Sequence, residues 1–290
     1  MTAQVQEFEL QTAMGHSLGV TKFFTTAFNK EIMVISSATG VLQRYYAKFA
    51  EFFALEGFCV YTFDYSGIGK SGGNATELQK NPISLTAWGA NDQAAVVALA
   101  KRTHPEAQLT LVTHSIGGQL LGFNPHYHML DKVIFVASQG GYWNDFKGLH
   151  TIKMWLFWYV IIPSLTPIYG FFPAKKLGLF ENLPKNMVYE WASWGKQTEY
   201  LMKFYDESKY YHAKFKIPIL SLSFSKDSYA PKNTVDWLAG LFTNATVHRV
   251  HHQANTGERH VQHFGFFKKW AQHPYWEQCL QYIRNGTYNT

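Results

Sequence analysis

Residues 109–118 read Leu-Thr-Leu-Val-Thr-His-Ser-Ile-Gly-Gly and constrain the fold more than any other stretch. A short apolar run with β-branched residues stops at Thr113. Ser115 follows, with Gly117 and Gly118 behind it and a helix-like segment after them. This is the outline of a strand–turn–helix bend that holds a serine at the tip of a strained corner. Small residues are needed two places either side of the serine, because the bend brings those backbones together. The G-x-S-x-G pattern is met at Gly117 and departed from at Thr113, whose β-branched side chain enters a crowded corner. In isolation the same letters also describe a chance Ser-x-Gly-Gly turn, so the surroundings decide the reading.

With 290 residues, 47% of them hydrophobic and 16% charged, the chain suits one large α/β domain or two small ones, and disorder is not expected. The formal charge of +6 is spread thinly. No basic run has the clustering of a nucleic-acid groove, although weak attraction to anionic surfaces is expected. Cys59 falls inside a buried-strand pattern and Cys279 stands alone, so no disulfide framework is indicated. No basic region followed by an apolar run opens the chain, and a cytoplasmic location is expected. Residues 154–172 carry no charge and approach the length of a bilayer crossing. Pro163, Pro167 and Gly170 are expected to interrupt them, which favours a buried or pocket-lining helical cap, with interfacial membrane contact as the second choice.

Residues 8–12 and 17–24 flank Ala-Met-Gly-His and predict a hairpin. Further strands are expected over 31–36, 58–63, 108–112, 132–137, 217–224 and 245–250. Helices are expected over 43–55, 84–102, 115–123 and 233–241, with a last one from about Phe266. The alternation predicts a mostly parallel sheet covered on both faces. It breaks between about Gly140 and Lys214, an aromatic, proline-punctuated stretch with a helical piece over 188–194. That stretch reads as an insertion into a core formed by residues 1–139 and 215–290. Asp64 to Ser71 is glycine-rich but lacks phosphate-loop spacing. A turn whose aspartate bonds local backbone is expected there.

A serine hydroxyl needs a base, and the base needs a third group to orient it. On a sheet of this kind the chain order is serine, acid, histidine. Asp227 leaves the end of the strand after the insertion, at the carboxyl edge where such sheets bind ligands. Its rival Asp236 falls inside a helix. Five histidines lie near or after the last strand: His248, His251, His252, His260 and His263. His263 is favoured because it comes just before the final helix. Read as a metal cluster, the five lack a completing carboxylate or cysteine set, so neither a metal nor another cofactor is expected. Two backbone N–H groups should stabilise an oxyanion. One is expected from Ile116 and the other from Ala38 or Thr39 in the small-residue loop Ser37-Ala-Thr-Gly.

The chain resembles the α/β-hydrolase superfamily, in particular its serine-aminopeptidase-like (lysophospholipase-like) branch. The likeness is carried by Ser36-Ser-Ala-Thr-Gly-Val, Phe63-Asp-Tyr-Ser-Gly-Ile-Gly-Lys-Ser, Thr113-His-Ser-Ile-Gly-Gly, Lys226-Asp-Ser-Tyr-Ala-Pro and Gln262-His-Phe-Gly-Phe-Phe, in the family's order. It implies an eight-stranded, mostly parallel sheet with helices on both faces and a helical cap over 140–214. It also implies Ser115 as nucleophile, His263 as base and Asp227 as orienting acid. Trp155, Trp158, Tyr159 and Trp191 are the expected pocket lining, and they point to an ester with an apolar acyl or aromatic group, or less readily a thioester or amide. The alternative is a non-catalytic protein binding a small lipophilic ligand on the same scaffold, motivated by Thr113. Peripheral membrane contact through the cap is compatible with either.

Overall fold

The computed structural model describes residues 2–254, 256–257 and 259–289. All the strands expected from the alternation are present: β1 (Gln4–Gln11), β2 (Ser17–Phe24), β3 (Glu31–Ser36), β4 (Cys59–Phe63), β5 (Gln108–His114), β6 (Lys132–Val136), β7 (Pro218–Phe224) and β8 (Thr246–His252). They form one 8-stranded sheet in the order β1-β2-β4-β3-β5-β6-β7-β8. The β1–β2 and β2–β4 pairs are antiparallel, and every later pair is parallel.

Burial explains why these runs form strands where they do. β3 to β7 are almost continuously buried, as strands covered on both faces must be. The two edge strands are polar instead. β1 exposes Glu7 and Glu9, and β8 exposes His248 and Arg249, which discourages pairing with another chain. Alternate side chains feed two cores. Val34, Tyr61, Leu111 and Phe135 point to one face, and Met33, Val60, Val112 and Ile134 to the other.

Helices α1 (Ala47–Leu55), α2 (Ala75–Lys80), α3 (Leu85–Ala87), α4 (Ala94–Thr103) and α5 (Ile116–Leu121) fill the first half. The helix expected over 84–102 is divided by a π-turn at Trp88–Gln93. Between β6 and β7 lie α6 (Leu149–Leu156), α7 (Ile162–Tyr169) and α8 (Lys185–Gly195). The expected interruption at Pro163 does not occur. A π-turn at Phe157–Ile161 joins α6 to α7 into one helix spanning Leu149–Tyr169, with Pro163 and the equally expected breaker Pro167 both inside it; the widened turn just before Pro163 accommodates the hydrogen bond that its nitrogen cannot donate. Gly170, at φ 75°, caps the end. Two helices complete the chain, α9 (Lys232–Gly240) and α10 (Glu277–Asn285). The last helix begins later than Phe266, because Pro274 holds His273 at a non-helical φ −106°, ψ 123°.

Just before β7, His212 is buried with neither ring nitrogen partnered, packed against Phe242 and over Gly122. Burial pulls its pKa down from 6.5 to about 3. The folded state therefore excludes a proton that the unfolded state takes up below pH 6.5. Stability carried by neutral His212 is complete above that pH and is lost as pH falls towards 3. We expect His212→Leu to be less acid-sensitive than the parent, by roughly 2 kcal/mol at about pH 5 relative to about pH 8, in urea unfolding at the two pH values.

Candidate active site

The expected elbow is present. β5 runs between β3 and β6, with Ser36 opposite Thr113 and Val136 opposite His114. The chain then turns at Ser115, whose φ 54°, ψ −116° lies outside the regions a residue with a Cβ ordinarily occupies. The turn is held by the Ser115 N–H donating to the Val136 carbonyl at 3.1 Å and by α5 starting at Ile116. Gly117 and Gly118 are required. A Cβ on Gly117 would lie 2.7 Å from the Ser36 carbonyl oxygen, and one on Gly118 would lie 2.5 Å from Ser138 Cβ. Thr113 is accommodated because its Oγ1 shares a hydrogen bond with Ser138 Oγ at 2.9 Å, so the hydroxyl is partnered inside the corner.

Beneath the elbow lies a buried polar network. Gln93 donates through Nε2 to Ser36 Oγ (2.8 Å) and to the Gly117 carbonyl (3.1 Å), and accepts at Oε1 from Asn124. Tyr65 closes the network on Ser36 and stacks on Trp88. With each of these groups partnered, the network fixes the distance between the β3 loop and the elbow.

Asp227 and His263 come together from the loops that follow β7 and β8. His263 Nδ1 lies 2.9 Å from Asp227 Oδ2, and the two side chains are 6% and 0% exposed. Asp227 Oδ1 accepts the N–H groups of Tyr229 and Ala230, both at 2.9 Å. An ionised carboxylate can only accept, so the imidazole carries its proton on Nδ1 and presents a lone pair at Nε2. Lys226 and Gln262, immediately before these two residues, both have positive φ (58° and 52°), and so aim the side chains that follow.

His114, read from the sequence only as the letter before Ser115, joins the three loops. Its Nε2 is 2.9 Å from the His263 carbonyl oxygen and its Nδ1 is 2.9 Å from the Tyr46 hydroxyl. The carbonyl can only accept, so the proton is on Nε2 and Tyr46 donates to Nδ1. The same Tyr46 oxygen accepts the Ala38 N–H at 2.8 Å. Burial, then the nearness of a second ring, His263, that would repel a charge on it, holds the His114 pKa well below its ordinary value.

This network corrects one expectation. The Ala38 N–H is occupied by Tyr46 and is not available as an oxyanion donor. Among the described residues nothing accepts from the Thr39 N–H, and Thr39 Oγ1 is buried without a partner. Ile116 is the first residue of α5, so its N–H has no intrahelical acceptor. Gln139 is a neighbour the sequence did not disclose, with both amide atoms 3.4 Å from Ser115 Oγ.

The four expected pocket aromatics are not gathered here. Trp155 and Tyr159 stack on each other on the outer face of the long helix, each 40% exposed. Trp158 is fully buried, donates to the Gly141 carbonyl and leaves no room for a Cβ on Gly195. Trp191 packs edge-on against Trp158 and donates to Tyr200. The face each residue occupies on its helix, not its type, decides this. A cleft of about 430 Å³ opens beside His263 and is lined by Tyr229, Phe264 and Trp270 among cationic Lys226, Arg259 and Lys268. Of the other four histidines, His251 bonds Ser223, His252 bonds Tyr288, His248 is exposed on β8, and His260 lines the same cleft with its Nδ1 buried and unpartnered.

Tyr46→Phe would leave the Ala38 N–H and His114 Nδ1 buried without their shared partner. It should lower unfolding stability by roughly 1–3 kcal/mol, measured by denaturant titration. A change within error would mean that the hydroxyl bridge is not formed.

Comparisons with known proteins bear on the family and the fold. A family model described as serine aminopeptidase, S33, matches residues 29–216. No curated protein matches the chain in sequence. Among solved structures, the chain is similar to a highly thermostable carboxyl esterase from Bacillus coagulans, with TM-score 0.68, 14% identity and coverage of 97% of this chain and 98% of that one. An esterase from Exiguobacterium antarcticum gives TM-score 0.61 at 12% identity, covering 97% and 100%. The Pyrococcus furiosus esterase Pf2001 gives 0.58 at 13%, covering 97% and 92%. At these identities the likeness is one of fold, and that fold is the α/β-hydrolase fold. With most of the chain matched by the family model, the protein belongs to the serine aminopeptidase S33 family of α/β-hydrolases.

Proposed function

We propose that the protein is a serine hydrolase that cleaves a carboxylic ester with an apolar acyl or aromatic group, through Ser115, His263 and Asp227. What supports this reading is a buried histidine already held by a carboxylate in the base-competent tautomer, its loop tied through His114 to the strained elbow that carries Ser115. Ser115 Oγ attacks the ester carbonyl carbon while His263 Nε2 takes its proton. The carbonyl oxygen becomes an oxyanion held by the Ile116 and Thr39 N–H groups, with the unpartnered Thr39 hydroxyl as a further donor. As the tetrahedral species collapses, His263 returns the proton to the departing alcohol. Water then repeats the sequence on the acyl-enzyme and frees Ser115. The Ser115 hydroxyl sits at the long distance of 3.4 Å from Gln139, loosely enough to turn towards the imidazole when substrate arrives.

The apolar side of the substrate is favoured by what surrounds the base. Tyr229 and Phe264 have ring centroids 5.3 Å and 4.9 Å from that of His263. Phe180 covers Gly40, next to Thr39. The alternative of a non-catalytic binder rests on Thr113; that its hydroxyl is partnered by Ser138 inside an intact elbow supports the catalytic reading.

Turnover of nitrophenyl esters of increasing chain length tests the proposal. Ser115→Ala should lose roughly 10⁴-fold or more in kcat with thermal unfolding unchanged. Asp227→Asn should lose about 10⁴-fold in kcat with little change in KM, because it leaves the ring in place with the wrong tautomer. Full turnover by Ser115→Ala would refute the assignment.

A further inference from the structure

The helix of Leu149–Tyr169 is apolar on both faces. Its inner face, with Trp158 and Ile162, is buried in the same core as the sheet strands. Its outer face carries Ile152, Trp155, Leu156, Tyr159, Val160 and Ile168, all exposed, with Ile168 at 73% and Ile152 at 56%. A helix that is apolar all round is ordinarily enclosed on all sides, and this one is enclosed on one. Because the inner face is bound to the core, the helix cannot be surrounded by lipid as a spanning segment would be.

We propose that this outer face docks on an anionic lipid bilayer, with the helix lying in the membrane interface. Charge identifies the occupant. Residues 146–180 include Lys147, Lys153, Lys175 and Lys176 and no Asp or Glu. Lys175 is ion-paired with Glu181 and Asp145 stands just before this stretch, which leaves Lys147, Lys153 and Lys176 as an excess of cations beside the apolar face, the combination that favours an anionic lipid surface. A second copy of the chain seated on the same face would bring these lysines against their equals. The aromatic pair fits the same occupant: Trp155 and Tyr159 stack 5.3 Å apart at the surface, and amphipathic rings of this kind settle at headgroup depth. Lys196 Nζ lies 5.0 Å from the Tyr159 ring and Lys176 Nζ 4.5 Å from the Tyr169 ring, so ammonium groups sit beside the apolar face.

The docking face is tied to the reaction centre. After Lys175 and Lys176 the chain reaches Phe180, which covers Gly40, and Glu181, whose N–H donates to the Gly40 carbonyl at 3.0 Å. Gly40 follows Thr39, the proposed oxyanion donor. Docking itself rests on none of the hydrolase chemistry. Its use, bringing a lipid ester to Ser115, rests on the function proposed above.

The test is co-sedimentation of the full chain with vesicles of phosphatidylcholine alone and of phosphatidylcholine mixed with phosphatidylglycerol. The native protein should bind the mixed vesicles, and added salt should weaken binding. The variant Ile152→Gln, Leu156→Gln, Val160→Gln keeps helix propensity and should bind at least about ten-fold more weakly, with thermal unfolding and turnover of a soluble short-chain ester unchanged. If that variant does not fold, Lys147→Glu with Lys153→Glu should weaken binding to the mixed vesicles by a similar factor. No binding by the native protein, equal binding to both vesicle types, undiminished binding by the variants, or a lipid-free dimer that the apolar-face variant abolishes would each overturn the proposal. Vesicle binding without ester turnover would leave docking standing and refute the hydrolase reading instead.

Discussion

The site depends on one neutral ring. His114 lies between the strand that leads to Ser115, the loop that carries His263 and the loop after β3, and it bonds the His263 carbonyl on one side and, on the other, the Tyr46 hydroxyl that holds Ala38. Those bonds require a single tautomer, because the His263 carbonyl accepts and the Tyr46 hydroxyl, itself holding the Ala38 N–H, has its proton left for Nδ1. Burial keeps the ring uncharged. In the proposed reaction His263 becomes an imidazolium about one ring's width away, with centroids 5.0 Å apart. A second cation there would oppose the charge that Asp227 is placed to stabilise. A neutral His114 positions both loops and adds no charge.

Around that ring, positive φ marks sharp turns of the backbone at the strand ends, at Ala137 beside the elbow and at three positions tied to the proposed triad. Ser115, Lys226 and Gln262 all have positive φ, and each stands at or just before a residue of the proposed triad. Such conformations persist only where the surroundings over-determine them. Here the surroundings are identifiable: the Gln93–Ser36–Gly117 network under the elbow, the two N–H groups on Asp227 Oδ1, and the hydrogen bond from His114 to the loop of His263.

How much of this was legible in the sequence follows from how local each signal is. Strands buried on both faces announce themselves as apolar runs, so the sheet and the order of Ser115, Asp227 and His263 along it were readable. The elbow was readable even with Thr113 in place of glycine, although its partner Ser138 lies 25 residues away and could not be read. The choice between Ala38 and Thr39 was not readable, because it turns on a hydroxyl from Tyr46 in the next helical segment. The aromatic insertion misled for a related reason. Composition marked it as apolar, but only the helix's rotation put Trp158 inside and Trp155 and Tyr159 outside. Pro163 and Pro167 do not break the helix, because a π-turn that no local pattern of residues announces widens it just before Pro163.

The claim on which the rest turns is that Ser115 is an activated nucleophile. Incubating the folded protein with a fluorophosphonate and locating the adduct by peptide mass spectrometry tests it directly. The structure predicts one adduct per chain, on Ser115 Oγ, formed at neutral pH. A folded protein that acquires no adduct, or acquires it on another residue, would contradict the account.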